Sequence, residues 1–174
     1  PYWTNNCVDS MEGLTFESSP TVPYHFMVQS ELSVTPSRPM VGLPYQPVNT
    51  TMGVQHLQML GVKYFLAFSP AIVASADQNP ALLPLTVIPK LGDRGVAWHI
   101  YLVKDAPLVT GLATLPNVVS DTTSRTDWLS ANEYWWNTPS AWSVLGASHG
   151  PGNWPRVNAM TAMRRVSAPA VTVS

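Results

Sequence analysis

Apolar and polar positions along the chain fall into patterns that are clearest in its middle. Over 50–60, Leu57 and Leu60 sit three apart, with Met52 or Gly53 a turn earlier, the spacing of one helical face. Asn49 or Thr50 can cap such a helix, and Gly61 supplies its stop. The run Val62-Lys63-Tyr64-Phe65-Leu66-Ala67-Phe68, rich in β-branched and aromatic residues, predicts a buried strand. Ser69-Pro70 then opens a short helix to about Ala76, with Ser as the cap and Pro at the first helical position. Asn79-Pro80 and Pro84 are expected to break regular structure beyond that helix. Val96-Ala97-Trp98-His99-Ile100-Tyr101-Leu102-Val103 predicts a second strand, and the turn Gly92-Asp93-Arg94-Gly95 allows 87–90 to fold back on it as a hairpin. A third strand is expected over 108–115.

Further on, Ser124 followed by Asp127 resembles a capping box and predicts a helix over 126–137. Trp128, Leu129, Trp135 and Trp136 fall on one face of it. Another short helical turn is expected over 140–145, and 149–155 reads as a Gly/Pro loop holding Trp154. In the first fifty residues, Pro20, Pro23, Pro36, Pro39, Pro44 and Pro47 argue against long helices. Short extended pieces are expected there around 14–17 and 24–29, in an ordered wrapping segment. Alternating helix and strand in the middle predicts an α/β domain: a small mixed sheet with flanking helices, wrapped by the Pro-rich N-terminal segment, with α+β as the alternative. One domain is expected over 1–169, including the wrapping segment 1–50. Residues 170–174 read as the truncated start of a following strand or module, so both ends are expected to be cut from a longer chain.

Composition narrows the classes of function. Of 174 residues only 11% are charged, against about a quarter in a typical domain, and the net charge is −1. No basic cluster exceeds Arg164-Arg165, so no nucleic-acid partner is expected. The 17 prolines exclude a coiled coil, and seven tryptophans argue against charge-driven disorder. No apolar run is long enough to span a bilayer; 62–76 comes nearest, interrupted by Lys63, Ser69, Pro70 and Ser75. A neutral, aromatic-rich surface suits an extracytoplasmic setting and neutral ligands such as sugars.

Single Cys7 permits no intrachain disulfide, and the four histidines (His25, His56, His99, His149) lack zinc spacing. No metal, cofactor or catalytic residue is expected. His56 and His99 read as hydrogen-bonded structural residues. Asp9, Glu12 and Glu17 lie close in sequence, as turn and cap acids or as a glycosidase pair, which needs carboxylates flanking the sugar. The glycines of 146–152 lack the Lys of a phosphate loop, and Asn49-Thr50-Thr51 matches the glycosylation pattern without structural support.

Five of the seven tryptophans, Trp128, Trp135, Trp136, Trp142 and Trp154, lie within one short stretch, with Asn132, Glu133, Asn137 and Asn153 among them. Indole faces pack on sugar C–H bonds while amides read hydroxyls; the same rings also fill cores or sit at membrane interfaces. Trp128 and Trp135 are expected in the core. Trp142, Trp154, Trp136, Asn137 and Asn153 are the candidate carbohydrate-binding residues.

The run from Gly53 to Ala67, centred on Leu60-Gly61-Val62-Lys63-Tyr64, resembles a helix-then-strand element of large bacterial polytopic membrane proteins of the GT-C glycosyltransferase type. Trp98-His99-Ile100-Tyr101-Leu102-Val103-Lys104-Asp105-Ala106-Pro107-Leu108-Val109 resembles the strand that comes after it there. The stretch Tyr2-Trp3-Thr4-Asn5-Asn6-Cys7-Val8-Asp9-Ser10-Met11-Glu12-Gly13-Leu14 is similar to actinobacterial members, the arabinofuranosyltransferase-like proteins that build cell-wall arabinan. The resemblance implies an extracellular accessory domain of a transferase with a polyprenyl-phosphate sugar donor, tethered at the extracytoplasmic face of the membrane. Its implied partners are an arabinan-like cell-wall glycan acceptor and the membrane spans and neighbouring domains of its own chain. In that family the catalytic acid lies in a loop between the first membrane spans, so the resemblance assigns no catalytic residue here. The alternative is a non-catalytic carbohydrate-binding or scaffolding module; a secreted hydrolase is third. Exposed apolar patches are expected near Trp142, Trp154 and the termini, where a tethered domain would be covered.

Overall fold

A computed structural model describes residues 22–93, 95–119 and 132–158. Helices and strands are mixed, as expected, in two small sheets. The chain divides into two compact units, Pro1–Val109 and Thr110–Ser174.

The first unit opens with helix α1, Val22–Leu32, where extended chain was expected around 24–29. The prolines themselves permit it. Pro23 occupies the first turn, where its missing N–H costs nothing, and no other proline occurs until Pro36. Phe26, Met27, Val28, Ser30, Glu31 and Leu32 are all buried, so the helix lacks the polar stripe that marks a surface helix in sequence.

Helix α2, Thr50–Met59, forms as its ends dictate. The Asn49 side chain accepts from the Met52 N–H at 3.1 Å. At the other end Gly61, at φ +67°, donates to Gln58 O, while Val62 donates to Leu57 O. This pair of bonds closes the last turn and needs a left-handed residue at Gly61. Helices α1 and α2 pack closely at Gly53, where a Cβ would lie 2.6 Å from Leu32. The Asn49 N–H also donates to Glu31 O, joining the start of α2 to the end of α1.

Strand β1 is Tyr64–Ala67, and helix α3 is Pro70–Asp77, capped by Ser69. Strands β2, Leu82–Ile88, and β3, Trp98–Val103, form the expected hairpin. β2 starts earlier than expected, because Pro84 sits at a register shift between Pro84 and Thr86 rather than ending the strand. An edge strand tolerates a missing donor, and β2 is an edge in the antiparallel order β1-β3-β2. One face of this sheet packs inward through Ala67, Leu82, Tyr101 and Val103.

Tyr101 is 1% exposed, and its hydroxyl donates to Asp77 Oδ1 at 2.8 Å, at the end of α3. Burial, then the bond to Asp77, then the Asp77 charge push its hydroxyl pKa up to about 12. An unfolded tyrosine ionises near 10, so between these values the unfolded chain binds fewer protons and stability falls as pH rises. Chemical denaturation from pH 9 to 12 should therefore show a decline that Tyr101→Phe flattens, at a cost of about 1 kcal/mol at neutral pH. An unchanged slope in the variant would assign the decline to other groups.

In the second unit, β4, Asn117–Val119, lies between β5, Gly146–Ala147, and β6, Arg156–Val157, parallel to both. The strand expected over 108–115 is thus displaced: Leu108 and Val109 are exposed, and the three buried residues Asn117, Val118 and Val119 make the strand. Within the expected helix over 126–137, residues 132–136 are helical. A single 3₁₀ turn, Pro139–Ala141, stands near the short helix expected at 140–145.

Candidate functional site

The tryptophan-rich end of the second unit is organised by its indole N–H groups. Trp142 Nε1 donates to Trp135 O at 2.8 Å and to Trp136 O at 3.2 Å. These carbonyls belong to the last turn of the helical segment, where backbone acceptors lack helical partners, so the indole acts as a cap. Trp135 Nε1 in turn donates to Val144 O at 3.0 Å, fixing the segment after the 3₁₀ turn. Asn137 Nδ2 donates to Glu133 O at 2.9 Å. Trp136 is 1% exposed and offers no ring face to a glycan, contrary to its expected place among the sugar contacts; its size fills the core of this unit. Trp142 is half-buried, with the polar edge of its indole engaged.

Trp154 and Asn153 lie on the loop before β6. Trp154 is half-buried and Asn153 exposed. The Trp154 ring covers Gly150, where a Cβ would fall on it, so the close approach requires glycine. Arg156 ties the loop's carbonyls together: Nη1 donates to Pro151 O, Gly152 O and Trp154 O, and Nη2 to Gly150 O, at 3.2–3.4 Å. A guanidinium spread over four carbonyls holds an otherwise irregular loop in one shape. Of the expected sugar contacts, Trp136, Asn137 and Trp142 therefore meet at one helix end, while Asn153 and Trp154 share the loop. Asp9, Glu12, Glu17, Cys7 and Trp128 lie outside the described residues.

Two features of the first unit were missed in the sequence. One is a buried pair: His56 Nδ1 lies 2.7 Å from Glu31 Oε2, with side chains 0% and 1% exposed. Its histidine stood out, but its carboxylate lies on α1, whose burial on most sides leaves no helical stripe in the sequence. The other is the outward face of the antiparallel sheet. Register sets two full rows across it, Tyr64, Leu102 and Leu83, then Leu66, Ile100 and Thr86, and pairs Trp98 with Ile88; Phe68, just past β1, joins that last row through an edge contact with Trp98, ring centroids 4.8 Å apart. Eight of these nine residues are apolar or aromatic, yet Tyr64, Leu66, Phe68, Leu83, Ile88 and Trp98 are 37–48% exposed. The strand expected to be buried is thus covered on one side only. An unbroken apolar run gives no alternation from which to tell the two cases apart.

Among the described residues no three His, Cys, Asp or Glu side chains cluster to hold a metal ion, and no helix is long and apolar enough to cross a membrane. Comparison with known protein families, curated proteins and solved structures finds no match.

Proposed function

We propose that this chain is an extracytoplasmic accessory domain of an arabinofuranosyltransferase-like membrane glycosyltransferase, in which the second unit contacts a neutral, arabinan-like glycan. The resemblance of 53–67 and 98–109 to that family supports the parent. The sugar contact rests on one observation: Trp142 and Trp154 are half-buried rather than sealed, in positions set by backbone hydrogen bonds and by Gly150 packing. With the Trp142 N–H engaged by backbone carbonyls, the indole has only carbon to offer a sugar's C–H bonds, and a ring already fixed loses little entropy on binding. Asn153 beside Trp154 supplies an amide for hydroxyls. Catalysis belongs to the parent's membrane portion, and the donor is a polyprenyl-phosphate sugar.

Titration with arabinan oligosaccharides, monitored by tryptophan indole NMR signals, should perturb Trp142 and Trp154 and spare Trp136. Trp154→Ala should weaken binding at least about tenfold, the scale of one lost stacking contact. Absence of any perturbation at millimolar oligosaccharide in the folded protein would overturn the glycan contact. The non-catalytic scaffolding alternative is favoured by a different observation, the uncovered apolar sheet face of the first unit.

A further inference from the structure

The geometry points to a lipid surface as the occupant of the open face formed by β1, β3 and β2. This inference rests on the sheet alone and does not depend on the transferase or glycan readings. Tyr64, Leu66, Phe68, Leu83, Ile88 and Trp98 adjoin one another on this face and are each 37–48% exposed, a contiguous apolar patch of the kind that marks an interaction surface.

Its composition fits a bilayer interface. Tyr64, Phe68 and Trp98 place aromatic rings at two opposite ends of the face, with Leu66, Ile100, Leu102, Leu83 and Ile88 between and beside them. Tyr and Trp favour the headgroup boundary, where one part of the ring is apolar and the other wet. The face carries no charge. Lysines stand at the strand ends instead: Lys63 before β1, Lys104 after β3 and Lys90 after β2. Lys63 Nζ lies 5.6 Å from the Tyr64 ring centroid, so its charge rests at the rim. Lys104 Nζ donates to Pro80 O at 2.7 Å at the same end. The neighbouring acids are Asp93, in the hairpin turn, and Asp105, in the turn after β3. Lysine stems lie along apolar surface while the ammonium meets a phosphate. Beyond Ile88 the hairpin continues to Leu91, which is 84% exposed. An apolar face edged by cations lies on a membrane rather than spanning it.

Flotation of the whole chain with vesicles of phosphatidylcholine, alone or mixed with phosphatidylglycerol, tests this. The protein should float with the mixed vesicles and less with phosphatidylcholine alone. Leu66→Asp with Phe68→Asp should weaken association at least about tenfold, since it places charge in the apolar contact. Val41→Asp should leave it unchanged, because Val41 is 96% exposed but lies off the sheet. Lys63→Gln with Lys90→Gln should reduce only the phosphatidylglycerol-dependent part. Should the aspartates prevent folding, Leu66→Thr with Ile88→Thr, polar but β-branched, should weaken binding in the same direction. Brominated lipids should quench tryptophan fluorescence, and Trp98→Phe should remove most of that quenching. No flotation with either vesicle, equal loss in Val41→Asp, or a dimer in solution that Leu66→Asp dissociates would overturn the proposal.

Discussion

Glu31→Ala should lower the unfolding free energy by about 3–5 kcal/mol, the cost of leaving one member of a buried pair without the other. Glu31 and His56 are buried between α1 and α2, with His56 Nδ1 2.7 Å from Glu31 Oε2, and the other carboxylate oxygen, Oε1, has no hydrogen-bond partner among the described residues. Without the carboxylate, His56 Nδ1 loses its Glu31 partner where water does not reach. Glu31→Gln should cost less, because its amide oxygen can still accept from the ring. Replacing both residues by leucine should recover much of the loss, since the desolvation of both groups is removed with their attraction. Urea denaturation of the four proteins gives the order. A loss below about 1 kcal/mol for Glu31→Ala would mean that the pair adds no more than an ordinary hydrogen bond.

Trp136→Ala should be as damaging to the second unit, by about 3–5 kcal/mol, because it empties the volume of the largest fully buried side chain among the described residues and the lining relaxes only in part. The effect should spread, since Trp142 Nε1 donates to the carbonyl of Trp136 and to that of Trp135, while Trp135 Nε1 holds Val144 O. Amide exchange should accelerate across 132–136 and at β4 beyond any change at exposed positions. Trp154→Ala, on the loop, should leave these amides protected. A Trp136→Ala protein with unchanged exchange would place the core of this unit elsewhere.

Elements closed by local chemistry were legible in the sequence. Asn49, Gly61 and Ser69-Pro70 bound α2 and start α3 through side-chain acceptors, a left-handed residue and a fixed φ, all within a few positions. The β2–β3 hairpin was legible near its turn, but not its reach past Pro84, which depends on β2 being an edge. Helix α1 was hidden because burial on nearly all sides erases periodicity. β5 and β6, two residues each, carry no pattern and exist through pairing with β4. In the candidate site, the tryptophan stretch was evident, but the separation of Trp136 from Trp142 and Trp154 was not: composition does not reveal which ring the core takes. The outward sheet face was missed for the same reason, since a strand's sequence does not say whether a second layer covers it.

In the second unit, β4 meets its neighbours only after much more chain has been made. Its partners in pairing, Gly146 and Arg156, lie roughly 30 and 40 residues downstream of Asn117 and Val118, so two large loops must close before the parallel sheet contributes anything. The β2–β3 hairpin, by contrast, closes over the connection 89–97 alone and should form early. Refolding should leave β4, with Val118 and Val119, the last buried strand to find its neighbours, and an apolar strand waiting unpaired is vulnerable to association with other chains. The yield of this unit from refolding should therefore depend more steeply on protein concentration than that of the helix pair α1 and α2.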